Sequence, residues 1–187
     1  MRIISGIAGG ITLDVPKGQA VRPTSARARK GLFDSIRNFS GLTVVDLFAG
    51  AGSLGLEAAS RGAARVILVE LKNQHISIIR KNVEKVMKAG AECEIKIVRA
   101  DALSVGAWSA GVDAPDFIFA DPPYAESGAI FKSLTSNEKF KSIFVSGAKL
   151  IWELPERDED GSFVEADGWS LTRRRFGGGD FLVAEII

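Results

Sequence analysis

From Thr43 onward the chain alternates short apolar runs with stretches of helical periodicity, and this alternation constrains the fold more than any other feature. Thr43–Phe48, Arg65–Leu71, Cys93–Val98, Asp116–Ala120 and Ala148–Leu154 read as buried strands. Between them lie helical segments at Leu54–Arg61, Asn73–Lys88 and Ala102–Trp108, then two shorter ones near Ala129–Leu134 and Glu138–Val145. Strands that alternate with helices build a parallel, doubly wound sheet with right-handed crossovers. Trp169–Phe176 and Phe181–Ile187, joined by Gly177-Gly178-Gly179-Asp180, carry a hairpin signal instead. The expectation is an α/β fold with a mostly parallel seven-stranded sheet, closed by an antiparallel C-terminal strand.

The N-terminal stretch is different. Short β-prone pieces between Arg2 and Val15 are punctuated by Gly6, Gly9 and Gly10, which suggests a small hairpin. A helix is then expected from Thr24 or Ser25 to about Asn38, with Ala28, Leu32, Ile36 and Phe39 as its apolar stripe. No Pro/Ser-rich linker divides the chain. One domain is expected over residues 1–187, with residues 1–40 as an N-terminal hairpin and substrate-side helix, and 41–187 as the core.

Composition excludes more than it selects. With one cysteine, Cys93, and one histidine, His75, neither a disulfide framework nor a Cys/His metal site is expected. No apolar run reaches membrane-spanning length and the first residues lack the apolar core of a signal peptide, so a cytoplasmic protein is expected. The net charge is only +1, so any nucleic-acid partner must be met by a local basic patch. Arg22, Arg27, Arg29 and Lys30 form one such patch at the start of the first helix, where positive charge opposes the helix dipole. Arg173, Arg174 and Arg175 form a second run, read as solvation of an edge strand.

Acidic residues end successive strands: Asp46, Glu70, Asp101 and Asp121. In an open parallel sheet, ligands bind outside the carboxyl ends of the strands. The loop after Asp46, from Phe48 through Gly50 and Gly52, lets the backbone approach a ligand closely. Gly50, Gly52 and Gly55 also satisfy the dinucleotide spacing, but a carboxylate beside the turn repels a pyrophosphate and suits a cationic amine. Glu70 is placed for the two hydroxyls of a ribose, and Asp101 for the amino group of an adenine. An amino acid, a ribose and an adenine together describe S-adenosylmethionine. At the fourth strand end, Asp121-Pro122-Pro123-Tyr124 presents a carboxylate, carbonyl acceptors and a flat ring, a set that can hold a planar base by its amino group.

With these residues assembled, the chain resembles the class I S-adenosylmethionine-dependent methyltransferases, and more narrowly the bacterial 16S ribosomal RNA guanine-N2 methyltransferase family. The resemblance rests on Arg2-Ile3-Ile4-x-Gly6, Arg22-Pro23-Thr24 with Leu32-Phe33, and the block from Asp46 through Gly50, Gly52, Gly55, Glu57 and Arg61 to Ala63. It continues through Glu70, Asn82, Asp101, Asp121-Pro122-Pro123-Tyr124 and the final glycine hairpin. Lys30 departs from the glutamate usual there, and Ala51 from the usual serine. The resemblance implies that Thr24, Phe48 and Ala102 join Asp46, Gly50, Gly52, Glu70, Asp101 and Asp121 in holding the cofactor, with S-adenosylhomocysteine as product. It implies that Asp121, the two prolines and Tyr124 position the target amine, and that the substrate is 16S ribosomal RNA, free or in an assembling small subunit, met by a monomer. Three rivals stay open: an adenine-N6 methyltransferase using the same residues, a noncatalytic RNA-binding module, and a dinucleotide oxidoreductase.

Overall fold

A computed structural model of the protein describes residues 1–16, 26–36, 38–112, 114–155 and 163–187. In chain order its elements are α1 (Ala26–Ser35), β1 (Thr43–Leu47), α2 (Ser53–Ser60), β2 (Arg65–Glu70), α3 (Asn73–Lys88), β3 (Glu94–Arg99) and α4 (Val105–Trp108). There follow β4 (Phe117–Ala120), α5 (Ser127–Thr135), α6 (Glu138–Lys141), β5 (Lys149–Glu153), β6 (Trp169–Phe176) and β7 (Gly179–Ile186). The strands form one seven-stranded sheet in the order β3-β2-β1-β4-β5-β7-β6. The first five pair in parallel, β7 runs antiparallel to β5, and β6 antiparallel to β7. Strand order reverses at β1, with β2 on one side and β4 on the other, which opens a crevice at the carboxyl ends of β1 and β4.

Alternation along each strand divides the apolar residues between two cores. Val44, Val66, Leu68 and Phe119 face a layer holding α1, α2, α3 and the N-terminal residues, with Leu32, Phe33, Leu56 and Ile79 among its members. Val45, Leu47, Ile118 and Trp152 face the other layer, with Trp108, Phe131 and Phe140 from α4, α5 and α6. The three tryptophans are buried, each with its indole N–H bonded: Trp108 to Ala102 O at 2.9 Å, Trp152 to Ser127 Oγ at 3.0 Å, and Trp169 to Thr135 O at 3.0 Å.

The expected N-terminal hairpin forms as a short one: Ile3 N donates to Ile11 O at 2.9 Å and Leu13 N to Met1 O at 2.8 Å. Arg2 and Thr12 make a single antiparallel bridge, and the glycine-rich turn between them folds onto α2. The backbone amides of Ile4 and Ser5 donate to the two carboxylate oxygens of Glu57, at 2.7 and 3.1 Å. Ile7 N donates to Ser60 O at 2.8 Å and Ala8 N to Ser60 Oγ at 3.0 Å. Groups of α2 thus pin the turn of this hairpin in place, and Ile3, Ala8 and Leu13 are buried. Further along this strap, Asn82 on α3 accepts from Asp14 N at 2.8 Å, and its amide donates to Asp14 O and to Ala51 O, both at 2.9 Å. The polar Asn82 is therefore fully buried on α3, whereas the apolar Met87 is exposed.

Candidate functional site

A cavity of about 730 Å³ opens at the carboxyl ends of β1, β2 and β4. That lies within the roughly 300–1,000 Å³ typical of small-molecule sites. Its walls include Phe48 and Gly50 from the loop after β1, Glu70 from the end of β2, Asp101 and Ala102 after β3, and Asp121, Pro122, Pro123 and Tyr124 after β4. The fold brings together groups as far apart in sequence as Phe48 and Tyr124 because the parallel crossovers return every strand end to one edge of the sheet.

Glu70 is buried and works inside the protein as well as on the cavity wall. Its Oε2 accepts from Gly50 N at 2.9 Å and its Oε1 from Lys72 N at 2.8 Å. Asp101 is exposed, with Oδ1 accepting from Leu103 N at 2.9 Å, which fixes the turn after β3. Phe48 is held at φ +59°, a left-handed conformation uncommon for a bulky residue, and its ring meets the edge of Trp152 at 6.4 Å between centroids. The strain sits at the cavity wall, where Phe48 packs against Trp152 and lines the opening.

The glycine loop is not an anion cradle. Gly50 N donates to Glu70, Gly55 N to Asp46 Oδ2 at 2.8 Å, Ala49 N to Val69 O at 3.0 Å and Gly52 N to Ala49 O at 2.6 Å. These amides are committed to acceptors of the protein itself, two of them carboxylates, so a pyrophosphate would meet negative charge rather than open N–H donors.

Asp46 corrects the sequence reading. Instead of facing a cationic amine, it is buried under the first turn of α2 and is not part of the cavity wall. Burial, opposed by the amides of Gly55 and Leu54 and assisted by the nearby Glu70 charge, raises its carboxyl to about 7. A carboxyl half protonated near neutrality is a poor counter-ion, and its role here is to hold the start of α2. Gly52 likewise lies behind the wall, as the residue that precedes α2.

Asp121 is half-buried at the cavity rim, Pro122 is buried and Pro123 exposed. Tyr124 is 39% exposed, and its hydroxyl lies 3.5 Å from Glu153 Oε1, a buried carboxylate at the end of β5. The ring therefore lines the cavity with its hydroxyl close to β5.

The basic patch divides. Arg22 and Thr24 lie outside the described residues. Arg27 and Lys30 are exposed on α1, Lys30 paired with Asp34 one turn on. Arg29, expected to reach RNA phosphates, is only 2% exposed, and its guanidinium donates to Arg2 O. Burial lowers its pKa, with the Glu57 charge opposing. Arg29 lies on the buried face of α1 together with Ala28, Leu32 and Phe33.

Sequence reasoning missed part of the wall. Met1, Val15 and Pro16 line it because the N-terminal strap is drawn across α2 and α3. His75 also lines it, with Nδ1 buried 3.3 Å from Glu70 Oε2 but off the hydrogen-bonding direction. Its place five residues after Glu70, in the first turn of α3, was the available signal.

Comparisons with known proteins give the chain its family. The family described as "Conserved hypothetical protein 95" matches residues 1–184. Ribosomal RNA small subunit methyltransferase D of Escherichia coli strain K12 is 32% identical over 180 residues, spanning 95% of this chain and 85% of that protein. Among solved structures, a hypothetical protein from Thermus thermophilus superposes with a TM-score of 0.74 at 25% identity, over 100% of this chain and 99% of that one. An O-methyltransferase from Bacillus cereus, solved in complex with SAH, shares the fold at a TM-score of 0.62 and 17% identity, over 92% of this chain and 84% of that one. From the match along nearly its whole length, the chain belongs to the conserved hypothetical protein 95 family, together with the small subunit ribosomal RNA methyltransferase D it resembles.

Proposed function

We propose that this protein methylates the exocyclic N2 amine of a guanine in 16S ribosomal RNA, with Asp121, Pro122, Pro123 and Tyr124 holding the base. The coarser statement, S-adenosylmethionine-dependent methylation of ribosomal RNA, follows from the relatives in its family. The observation that carries the finer reading is the wall itself: a carboxylate-lined cavity whose glycine-loop amides are already bonded, running up to the Asp121–Tyr124 corner. That acceptor set fits a ligand bearing hydroxyls and amines and opposes one bearing a pyrophosphate, which disfavours the dinucleotide oxidoreductase.

Glu70 would hold the ribose hydroxyls of S-adenosylmethionine, with Asp101 and Ala102 at the adenine and Phe48 and Gly50 along its length. When bound, this cofactor supplies a methyl group on a sulfonium, already a strong electrophile. The protein must therefore prepare the nucleophile, because the guanine amine shares its lone pair with the ring. Asp121 and the Pro122 carbonyl accept the two amino hydrogens and turn the nitrogen lone pair toward the methyl. Orientation supplies most of the gain, and the Asp121 charge offsets the positive charge that develops on the amine. Tyr124 stacks on the base once it leaves its helix or loop, an interaction worth about 1–3 kcal/mol. Guanine rather than adenine is supported by the N-terminal and Arg-Pro-Thr similarity, and a partly assembled, protein-bearing subunit by the near-neutral net charge.

The test is incubation of 16S ribosomal RNA, naked and as assembled subunit, with labelled methyl donor, followed by nucleoside analysis. N2-methylguanosine is expected; N6-methyladenosine would replace this reading with its nearest rival. Asp121→Ala should lower turnover by about 10²–10³-fold, the scale for losing one preorganised electrostatic contact, while S-adenosylhomocysteine binding stays within a few-fold. Near-normal turnover would remove Asp121 from the reaction.

A further inference from the structure

We propose that the β6–β7 turn and the first turns of α1 form one phosphate-binding rim that holds the RNA strand to one side of the target base; this rests on the RNA methyltransferase reading above. The sheet order decides it. Because β5 is parallel to β4, β7 antiparallel to β5 and β6 antiparallel to β7, β6 runs in the same direction as β4. Its carboxyl end, with Arg173, Arg174 and Arg175, therefore lies at the same edge of the sheet as Asp121. All three arginines are exposed. The lateral offset is three strand spacings, about 14 Å, within reach of a nucleic-acid strand whose target base sits at Asp121.

The turn also meets the other basic cluster. A side chain at Gly177 would place its Cβ 2.1 Å from Arg27 O, and one at Gly31 would lie 3.1 Å from Gly177 N. The glycine turn thus lies against the first turns of α1, so that the exposed Arg27 and Lys30 adjoin the end of β6. Along β6, Arg174 shares a face with Phe176, which packs with the α1 layer, whereas Arg173 and Arg175 share a face with Leu171 of the other layer. The arginines consequently straddle the outermost strand of the sheet. Among the described residues, the carboxylates nearby include Asp34, shared by Lys30 and Arg61, and Asp180, 3.8 Å from Arg175. Protection of an open sheet edge accounts for charge on β6; it does not account for a second exposed basic cluster on α1 seated against the same turn.

The experiment compares the full-length protein with the triple variant Arg173→Gln, Arg174→Gln, Arg175→Gln, using a naked 16S ribosomal RNA transcript and a salt series. Removing three phosphate contacts should reduce the slope of log affinity against log salt by about 2, at roughly 0.7 per contact to single strands. At low salt, RNA affinity should fall at least tenfold, while S-adenosylhomocysteine affinity and the thermal midpoint stay unchanged. An unchanged slope and affinity in the variant, beside a wild-type protein that binds, overturns the rim alone. A wild-type protein that neither binds nor methylates the transcript or the subunit overturns the functional reading, and the rim with it.

Discussion

Asp46 is 2% exposed beneath the first turn of α2, and its carboxyl is raised from the ordinary 3.8 to about 7, chiefly by burial. In the unfolded chain the same group ionises near 3.8. Between these values the native state holds a proton that the unfolded state has lost, so stability falls as pH rises through the window. Each pH unit is worth about 1.4 kcal/mol; from pH 5 to 7, where the native group is itself half ionised at the upper end, the loss from this one group is about 2 kcal/mol. Asp46→Asn keeps the shape and an oxygen that can accept from Gly55 N, yet does not titrate. Urea unfolding of both proteins from pH 5 to 8 isolates the effect, because every other group is common to the pair. The stability of the wild type relative to the variant should fall by about 2 kcal/mol as pH rises from 5 to 7, then level off. A difference constant with pH would refute the assignment of Asp46 as a buried, near-neutral anchor of α2. It would also reopen its placement as the counter-ion of an amine.

Other substitutions test the strap and the cavity. Gly6→Ala forces a Cβ to within 1.9 Å of Ser60 O at a φ of +82°; the turn must lift off α2, at roughly 3 kcal/mol from backbone strain and lost hydrogen bonds, read as a lower urea midpoint. Asn82→Ala leaves Ala51 O and both backbone groups of Asp14 without their partner. The expected loss is about 2–3 kcal/mol, with a rise in KM for S-adenosylmethionine as the glycine loop loosens; unchanged stability would show that water replaces the amide. Glu70→Ala should weaken S-adenosylhomocysteine binding in calorimetry, and an unchanged affinity would move the ribose contact elsewhere.

Much of the architecture was legible in the sequence because each buried strand needs an uninterrupted apolar run and each crossover helix a 3.6-residue stripe. β6 and α3 fall where those patterns place them, and the strand-end positions of Glu70, Asp101 and Asp121 follow directly. The Asp121-Pro122-Pro123-Tyr124 corner was equally readable, since prolines after an apolar run end a strand whatever surrounds them. Sequence could not say which way a side chain at a strand end turns. Asp46 and Glu70 look alike in one dimension, but α2 crosses over Asp46 and covers it, while Glu70 lines the open cavity. Nor could it place Arg29, one residue from the exposed Lys30, on the inward face of α1. The N-terminal strap was hidden for the same reason: Glu57, Ser60 and Asn82 hold it from more than fifty residues away, and hydrogen bonds over that separation leave no local pattern. Local periodicity thus determined the elements and the edge where the chemistry gathers. Which acid faces a ligand, which arginine faces solvent, and how β6 comes to share an edge with Asp121 were decided only when helices and strands packed and competed for the same polar groups.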